Sequence, residues 1–489
     1  MVELKKVSFI YKNKIDKETP TLKDIDLEAK KGECVLLCGE SGCGKTNICR
    51  VINGLITNYY SGELSGKVIT HGQESSQLDM VDRASFIGSV FQNPKTQFFN
   101  NNVTSEIAFT SENMGVPSEE IAKQVENQIV QFNLLGLKNR LVHQMSGGEK
   151  QRVACASASA MEQELIVIDE PSSNLDYQSI AKLRKILKMW KSEGKTIIIS
   201  EHRLYYLTDV VDKVYLIKKG QISNVFTSNE FSALDNDKLN HMGLRSHYPL
   251  TVSVDGEKSS YASSIYIDKL NVRYKDKKAL SISNFSMNWQ GVCAIVGQNG
   301  AGKSTLVNAL SGLVRSKKGK IIINDRQYCP KGLQRVSYIV SQDVTHQLFS
   351  DSVYEELACT GSVTKEKIDA LLKELNLYDK KDVHPMALSG GEKQRLSIAV
   401  ALAIDKEVIF LDEPTSGLDF NNMKRTSKLI NELSLKNKTV FVITHDIEFI
   451  LHACNHILHI KDGEVYEDFA LKDNYKEKLE TIFKMEGRE

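Results

Sequence analysis

The chain has no apolar run approaching the roughly 18 to 20 residues that a bilayer-crossing helix needs. Its most apolar stretches, such as Leu396–Ile404, are short, and that one holds a serine. The start, Met1-Val2-Glu3-Leu4-Lys5-Lys6, lacks the apolar core of a signal peptide. Any membrane role is therefore expected to run through partner proteins, from the cytosolic side. Neither sign of charge is in excess: Lys plus Arg (63) and Asp plus Glu (62) nearly cancel. No global field draws in nucleic acid or anionic lipid, and no nucleic-acid partner is expected. Nine cysteines form no Cys-x-x-Cys pair. Cys34, Cys38, Cys43 and Cys49 crowd one glycine-rich stretch, but they lack metal-ligand spacing. Cys34 and Cys38, four apart in an apolar run, read as small hydrophobes sharing a buried face. Cys43, inside the stretch, is expected to be oxidation-sensitive, and the overall usage suits a reducing cytosol. With 489 residues, 41% hydrophobic and 26% charged, the chain is long enough for two or three globular domains.

What is present is a motif series that occurs twice in the same order. Gly39-Glu40-Ser41-Gly42-Cys43-Gly44-Lys45-Thr46 returns as Gly297-Gln298-Asn299-Gly300-Ala301-Gly302-Lys303-Ser304. Ser146-Gly147-Gly148-Glu149-Lys150-Gln151-Arg152 returns as Ser389-Gly390-Gly391-Glu392-Lys393-Gln394-Arg395. Ser146 and Ser389, Asp169 and Asp412, and His202 and His445 are each 243 residues apart. Chance does not hold that register, so the chain contains two copies of one phosphate-handling domain.

Each copy opens with a strand pattern ending in an aromatic, Val7–Tyr11 and Leu270–Tyr274. An apolar strand (Glu33–Cys38; Val292–Val296) then enters the glycine-rich loop, and a helix begins at its lysine. Strands Leu165–Ile168 and Val408–Leu411 deliver the acidic pairs, and Thr196–Ser200 and Thr439–Thr444 deliver the histidines. Val214–Gly220 and His456–Gly463 close the two copies. Uninterrupted apolar strands alternating with helices imply an α/β fold with a parallel sheet covered on both faces. Ligands are expected beyond its C-terminal strand ends, where the motifs fall. Glu106–Leu135 and Tyr354–Leu377 read as a helical lobe in each copy. The domains are expected at 1–240 and 264–489, with 241–263 a short linker marked by Pro249, Gly256 and several serines. From Leu471 on, a charged, solvated helix is expected.

The two loops fit G-x-x-x-x-G-K-[ST], with Gly39, Gly42, Gly44, Gly297, Gly300 and Gly302 permitting a turn whose backbone N–H groups surround phosphates. Lys45 and Lys303 place a positive charge against the β- and γ-phosphates, where a contact near 4 Å gives roughly 4 kcal/mol at an effective dielectric of about 20. Thr46 and Ser304 offer hydroxyls to Mg²⁺, and Asp169 and Asp412 help to hold it. Glu170 and Glu413 are placed to orient or deprotonate the water that attacks the γ-phosphate. His202 and His445 follow their glutamates by the same 32 residues, which favours a γ-phosphate contact over a structural role. Gln92 and Gln342, at strand ends between lysine and signature, can touch Mg²⁺ or water. Tyr11 and Tyr274 offer faces on which adenine stacks, with core packing the rival for both.

This series, in this order and over almost the whole chain twice, resembles the ATP-binding cassette (ABC) ATPases. The resemblance implies tandem P-loop NTPase domains, each with a mainly parallel core, a helical subdomain and an antiparallel β subdomain. It implies two intramolecular composite ATP sites. One would join Lys45, Thr46, Gln92, Asp169, Glu170 and His202 with Ser389 and Gly391. The other would join Lys303, Ser304, Gln342, Asp412, Glu413 and His445 with Ser146 and Gly148. Phe91-Gln92-Asn93-Pro94, Glu170-Pro171-Ser172-Ser173-Asn174-Leu175-Asp176 and Ser200-Glu201-His202-Arg203 look like the energy-coupling factor importers of vitamins or transition metals. That group implies a transmembrane coupling subunit, a small membrane-embedded substrate-binding subunit, a place at the cytoplasmic face of the membrane, and no contact between this chain and cargo. The chain departs from the broad family at Glu149 and Glu392, where glutamine is usual, and at Asn47, where a hydroxyl residue is usual. The rival is a ribosome-binding translation factor of the same superfamily, but the short linker without a basic run argues against it.

Overall fold

The computed structural model describes residues 1–12, 21–256, 262–274, 277–314, 319–361, 363–472 and 474–483. They form two compact units, Met1–His247 and Tyr248–Glu489.

In the first unit a six-stranded sheet runs Gln221–Thr227, Lys213–Lys218, Cys34–Cys38, Thr196–Ser200, Leu165–Asp169, Ile87–Val90. Five of these strands are parallel, and Gln221–Thr227 is an antiparallel edge. Three central strands are buried at every position, which their apolar, largely β-branched sequences permit. Alternation along Cys34–Cys38 splits the core. Cys34, Leu36 and Cys38 join Ile166, Ile168, Ile197 and Ile199 on one face. Val35 and Leu37 join Leu165, Val167 and Ile198 on the other. Each large side chain so buried stabilises the sheet by about 1.5–3 kcal/mol. The two cysteines are therefore core hydrophobes, as their spacing implies.

A separate antiparallel sheet, Leu22–Ala29, Val2–Tyr11, Gly62–Thr70, Gln73–Glu74, covers one side. Its second strand starts five residues before the sequence pattern suggests, because the register shifts between Lys5 and Ser8 and Lys6 takes a φ of 48°. The bulge puts Val2 and Leu4 in one phase and Val7 and Phe9 in the other, although all four are buried. The helical lobe comprises Val103–Asn113, Ser118–Gln131 and the signature helix Gly147–Ala158.

The second unit repeats this plan. Its six-stranded sheet runs Ser337–Val340, Val408–Asp412, Thr439–Ile443, Val292–Val296, His456–Lys461, Glu464–Ala470, again with one antiparallel edge. The antiparallel sheet runs Lys277–Gln290, Ala262–Tyr274, Ile321–Ile323, Arg326–Tyr328. The lobe comprises Val353–Ala358, Lys365–Glu374 and Gly390–Ala403.

Within 241–263, Leu244, Arg245, Ser246 and His247 are buried, and His247 meets the Phe231 ring edge-on at 4.6 Å. Residues 257–261 of that stretch lie outside the described residues. Tyr475–Phe483 is a helix, but Leu479 and Phe483 are buried, so it is amphipathic rather than solvated all round; residues 484–489 lie outside the description.

Candidate functional site

In both units the site grows from the carboxyl ends of three adjacent parallel strands. Cys34–Cys38 leads into the first glycine-rich loop and Lys45 opens the helix Lys45–Ile52. The first glycine of each loop is obligatory on two counts. Gly39 and Gly297 take φ of 145° and 146°, and an added Cβ would lie 2.2 Å from Ile217 O and 2.1 Å from Ile460 O. Lys45, buried, donates to the Gly39 and Glu40 carbonyls, each at 3.1 Å. Lys303 donates likewise to Gly297 O (2.7 Å) and Gln298 O (3.0 Å).

Leu165–Asp169 ends at the acidic pair. Thr46 Oγ1 donates to Asp169 Oδ1 at 3.2 Å, and Ser200 Oγ donates to the same oxygen. Burial pushes the Asp169 and Asp412 carboxyls up from their ordinary value, with hydrogen bonds from Ser200 and Thr46, and from Ser304, partly offsetting it. Glu170 and Glu413 both adopt left-handed backbone, φ 43° and 49°. For glutamate this costs on the order of 1–3 kcal/mol and persists only where the surroundings impose it. Here the Glu170 N–H donates to Ser200 O (3.0 Å) and the Glu413 N–H to Ile443 O (2.9 Å), locking each residue to the neighbouring strand.

These contacts turn the glutamate toward the other expected residues. Gln92 Nε2 donates to Glu170 Oε2 at 2.7 Å. His202 Nε2 is 3.1 Å from Glu170 Oε1 and 3.3 Å from Lys45 Nζ, which itself is 4.0 Å from that carboxylate. In the second unit His445 Nε2 is 3.6 Å from Glu413 Oε1. Lys45, Thr46, Gln92, Asp169, Glu170 and His202 thus converge, and His445 stands by Glu413 as His202 stands by Glu170.

Sequence reasoning passed over several supporting groups. Glu201, buried, accepts the Ser172 hydroxyl (2.8 Å) and the His202 and Arg203 N–H groups (2.9 and 3.0 Å) on one oxygen, and the Tyr206 hydroxyl (2.9 Å) on the other. In the second unit the brace sits after the histidine: Asp446 Oδ2 accepts the Thr415 hydroxyl at 3.2 Å. The Glu201-His202-Arg203 and His445-Asp446 strings were the only signal of these braces.

Ser146 and Ser389 cap the signature helices. Their hydroxyls accept the Glu149 and Glu392 N–H groups (3.3 and 3.4 Å), and those carboxylates accept the serine N–H groups in return (2.8 and 2.9 Å). This reciprocal capping box gives the two departing glutamates a structural use. Arg140 and Lys380 pair with the same carboxylates at 3.3 and 2.7 Å. Asn47 accepts the Tyr11 hydroxyl at 2.7 Å, so this departure anchors the tyrosine. Tyr11 also packs edge-on against Phe9 at 4.7 Å, whereas Tyr274 is 49% exposed; the two rings are not equivalent. Cys43 departs from expectation: it is buried, and burial raises its thiol above the ordinary value, which disfavours the reactive thiolate.

The ABC transporter family profile matches residues 22–173 and 280–416, more than half of the chain. The chain belongs to the ABC transporter family. It carries two cassettes and is an ATP-binding, ATP-hydrolysing protein of that family. A putative ABC transporter ATP-binding protein of Treponema denticola is 40% identical over 492 residues, covering 99% of this chain and all of the relative. A putative HMP/thiamine import ATP-binding protein of Bacillus subtilis is 31% identical over 496 residues, covering 94% of this chain and 90% of its own. Archaeal ABCE1, described bound to the ribosome with Pelota, shares the fold with a TM-score of 0.68 at 22% identity, over 97% of this chain and 80% of that one. Among the described residues no helix is long and apolar enough to cross a membrane.

Proposed function

We propose that this ABC ATPase is the energy-coupling subunit of an importer of the energy-coupling factor type, for a vitamin or a transition-metal ion. In this role it works at the cytoplasmic face of the membrane with a separate transmembrane coupling subunit and a small membrane-embedded substrate-binding subunit, and does not touch cargo. The observation that carries the proposal is the near full-length likeness to the Bacillus subtilis import ATP-binding protein, joined to the presence of the whole motif series in each cassette. The likeness to ABCE1 is one of fold and brings no ribosomal role with it.

The chemistry follows from the residues. Loop N–H groups and Lys45 or Lys303 bind the β- and γ-phosphates. Glu170 and Glu413 accept the proton of the attacking water, oriented with the help of Gln92 and Gln342, and His202 and His445 contact the γ-phosphate. The donor set beside each loop fits Mg²⁺: it is all oxygen, a hydroxyl 3.2 Å from a carboxylate in the first cassette, and its buried aspartate gains from a nearby cation. Thr46, Gln92 and Asp169, and Ser304, Gln342 and Asp412, would hold the ion. When bound, it offsets phosphate charge. Tyr11 and Tyr274 serve as adenine platforms, and Ser146, Gly148, Ser389 and Gly391 contribute to the nucleotide sites in the cassette pairing that the family implies.

The test is affinity purification of the tagged chain from detergent-solubilised native membranes, followed by mass spectrometry. Recovery of a polytopic protein with a small membrane protein supports import, and the small subunit points to the cargo. Ribosomal proteins without a membrane partner overturn it.

A further inference from the structure

Residues 91–106 and 341–356 correspond at a spacing of 250, and only five of the sixteen positions keep the same residue. They are Gln92 and Gln342, Gln97 and Gln347, Phe99 and Phe349, Val103 and Val353, and Glu106 and Glu356. The structure gives all but the buried valines a place in one hydrogen-bonded strap. At its near end, Gln97 Oε1 accepts the Phe91 N–H and Gln97 Nε2 donates to Ser89 O, each at 3.0 Å. Gln347 does the same with the Ser341 N–H (3.0 Å) and Ile339 O (2.9 Å). These backbone groups end the strand that delivers Gln92 or Gln342. At the far end, Glu106 Oε2 accepts two successive N–H groups, of Phe99 (3.0 Å) and Asn100 (2.7 Å). Glu356 Oε2 accepts those of Phe349 (3.0 Å) and Ser350 (2.9 Å). Glu106 is 3% exposed, yet it binds the loop with charge-assisted hydrogen bonds.

Helix capping does not account for these carboxylates. Asn102 and Ser352 already cap the helices, accepting the Ser105 and Glu355 N–H groups at 2.8 and 3.1 Å. Between the clamps sit Phe99 and Phe349, 77% and 80% exposed, higher than any other large hydrophobic among the described residues. Both copies have diverged at eleven of the sixteen positions while keeping the clamps, the ring between them and the glutamine they hold.

We propose that Gln97 with Glu106, and Gln347 with Glu356, are positioning residues for hydrolysis. In the first cassette they hold the strap so that the Gln92 amide stays on Glu170, 2.7 Å away; in the second Gln347 and Glu356 hold the strap that carries Gln342. The proposal rests on the roles given above to Gln92, Gln342 and the catalytic glutamates.

The test compares full-length chains carrying Gln97→Ala with Gln347→Ala, Glu106→Gln with Glu356→Gln, Gln92→Ala with Gln342→Ala, and each clamp pair combined with the last. The readouts are kcat, KM for ATP and the unfolding midpoint. Expected is a fall in kcat of about tenfold for either clamp pair with KM and midpoint unchanged, and no further fall in the Gln92→Ala, Gln342→Ala background. Full kcat in both clamp pairs overturns the proposal, as does a fall that adds in full to that of Gln92→Ala. A fall tracked by KM and midpoint shows a structural role only and overturns it too. If Gln92→Ala with Gln342→Ala is itself silent, the role of those glutamines fails first and the positioning claim with it.

Discussion

His202 Nε2 stands 3.1 Å from Glu170 Oε1, and the same nitrogen is 3.3 Å from Lys45 Nζ. The imidazole thus ties the group proposed to handle water to the group proposed to handle phosphate. Replacing Glu170 with Gln keeps shape and removes the proposed base. Turnover should fall in the Glu170→Gln and Glu413→Gln chains singly. In the double variant it should fall by about 10² to 10⁴, the usual contribution of a general base. Phosphate release measures the loss, and equilibrium binding of labelled ATP should stay within about twofold of the parent.

The capping boxes at Ser146 and Ser389 set the stability of the signature helices. Ser146→Ala and Ser389→Ala should each cost about 0.5–2 kcal/mol, read from urea unfolding. Burial alone would raise the Glu149 and Glu392 carboxyls. Hydrogen bonds from Ser146 together with the charges of Arg140 and Arg152 outweigh it at Glu149, and Lys380 with Ser389 outweighs it at Glu392, so both sit below their ordinary value. A depressed carboxyl adds stability above its unfolded value and loses it as pH falls through the folded one. The penalty of Glu149→Gln, which removes the charge, should therefore shrink as the medium is taken below about pH 4.

Burial holds the His247 imidazole down at about 4, from an ordinary 6.5. Between those values the unfolded chain binds the proton and the folded chain does not. Stability therefore rises with pH across this window and is lost as pH falls through it. His247→Phe, which keeps a ring against Phe231, should flatten that part of the melting temperature profile. An unchanged slope between pH 4 and 6.5 would count against a buried neutral imidazole.

Thiol chemistry should pass Cys43 by. Cys329 and Cys359 are exposed, whereas the other seven cysteines are buried. Alkylation of the folded chain near neutral pH should mark those two first and leave ATP hydrolysis intact. Peptide mapping after brief exposure to a maleimide reads the order directly.

Much of this molecule was legible because parallel strands buried on both faces leave uninterrupted apolar runs, and because glycine loops and acidic pairs must follow them. Leu165–Asp169 and Val408–Asp412 are visible for that reason. What stayed hidden depends on geometry that residue type does not carry. The bulge at Lys6 shifts the alternation, so Val2 and Leu4 fell outside the expected strand. Nothing in Glu170 itself announces a left-handed backbone; the neighbouring strand imposes it. Glu106 reads as an ordinary polar position on a helix, and only folding shows its carboxylate turned inward onto two backbone N–H groups. The serines and proline of 241–263 marked a linker but not that Leu244 and His247 within it would be buried.

The twin sheets also keep a record of where chain length has been free to change. Corresponding residues lie 258 apart at Gly39 and Gly297, 250 apart at Gln92 and Gln342, and 243 apart from Ser146 and Ser389 through His202 and His445. The lengths therefore differ only before Gln92, across the antiparallel sheet, and before Ser146, across the helical lobe. From the signature to the histidine the two halves keep the same length, so segments 146–203 and 389–446 could be exchanged in a chimera without changing the number of residues.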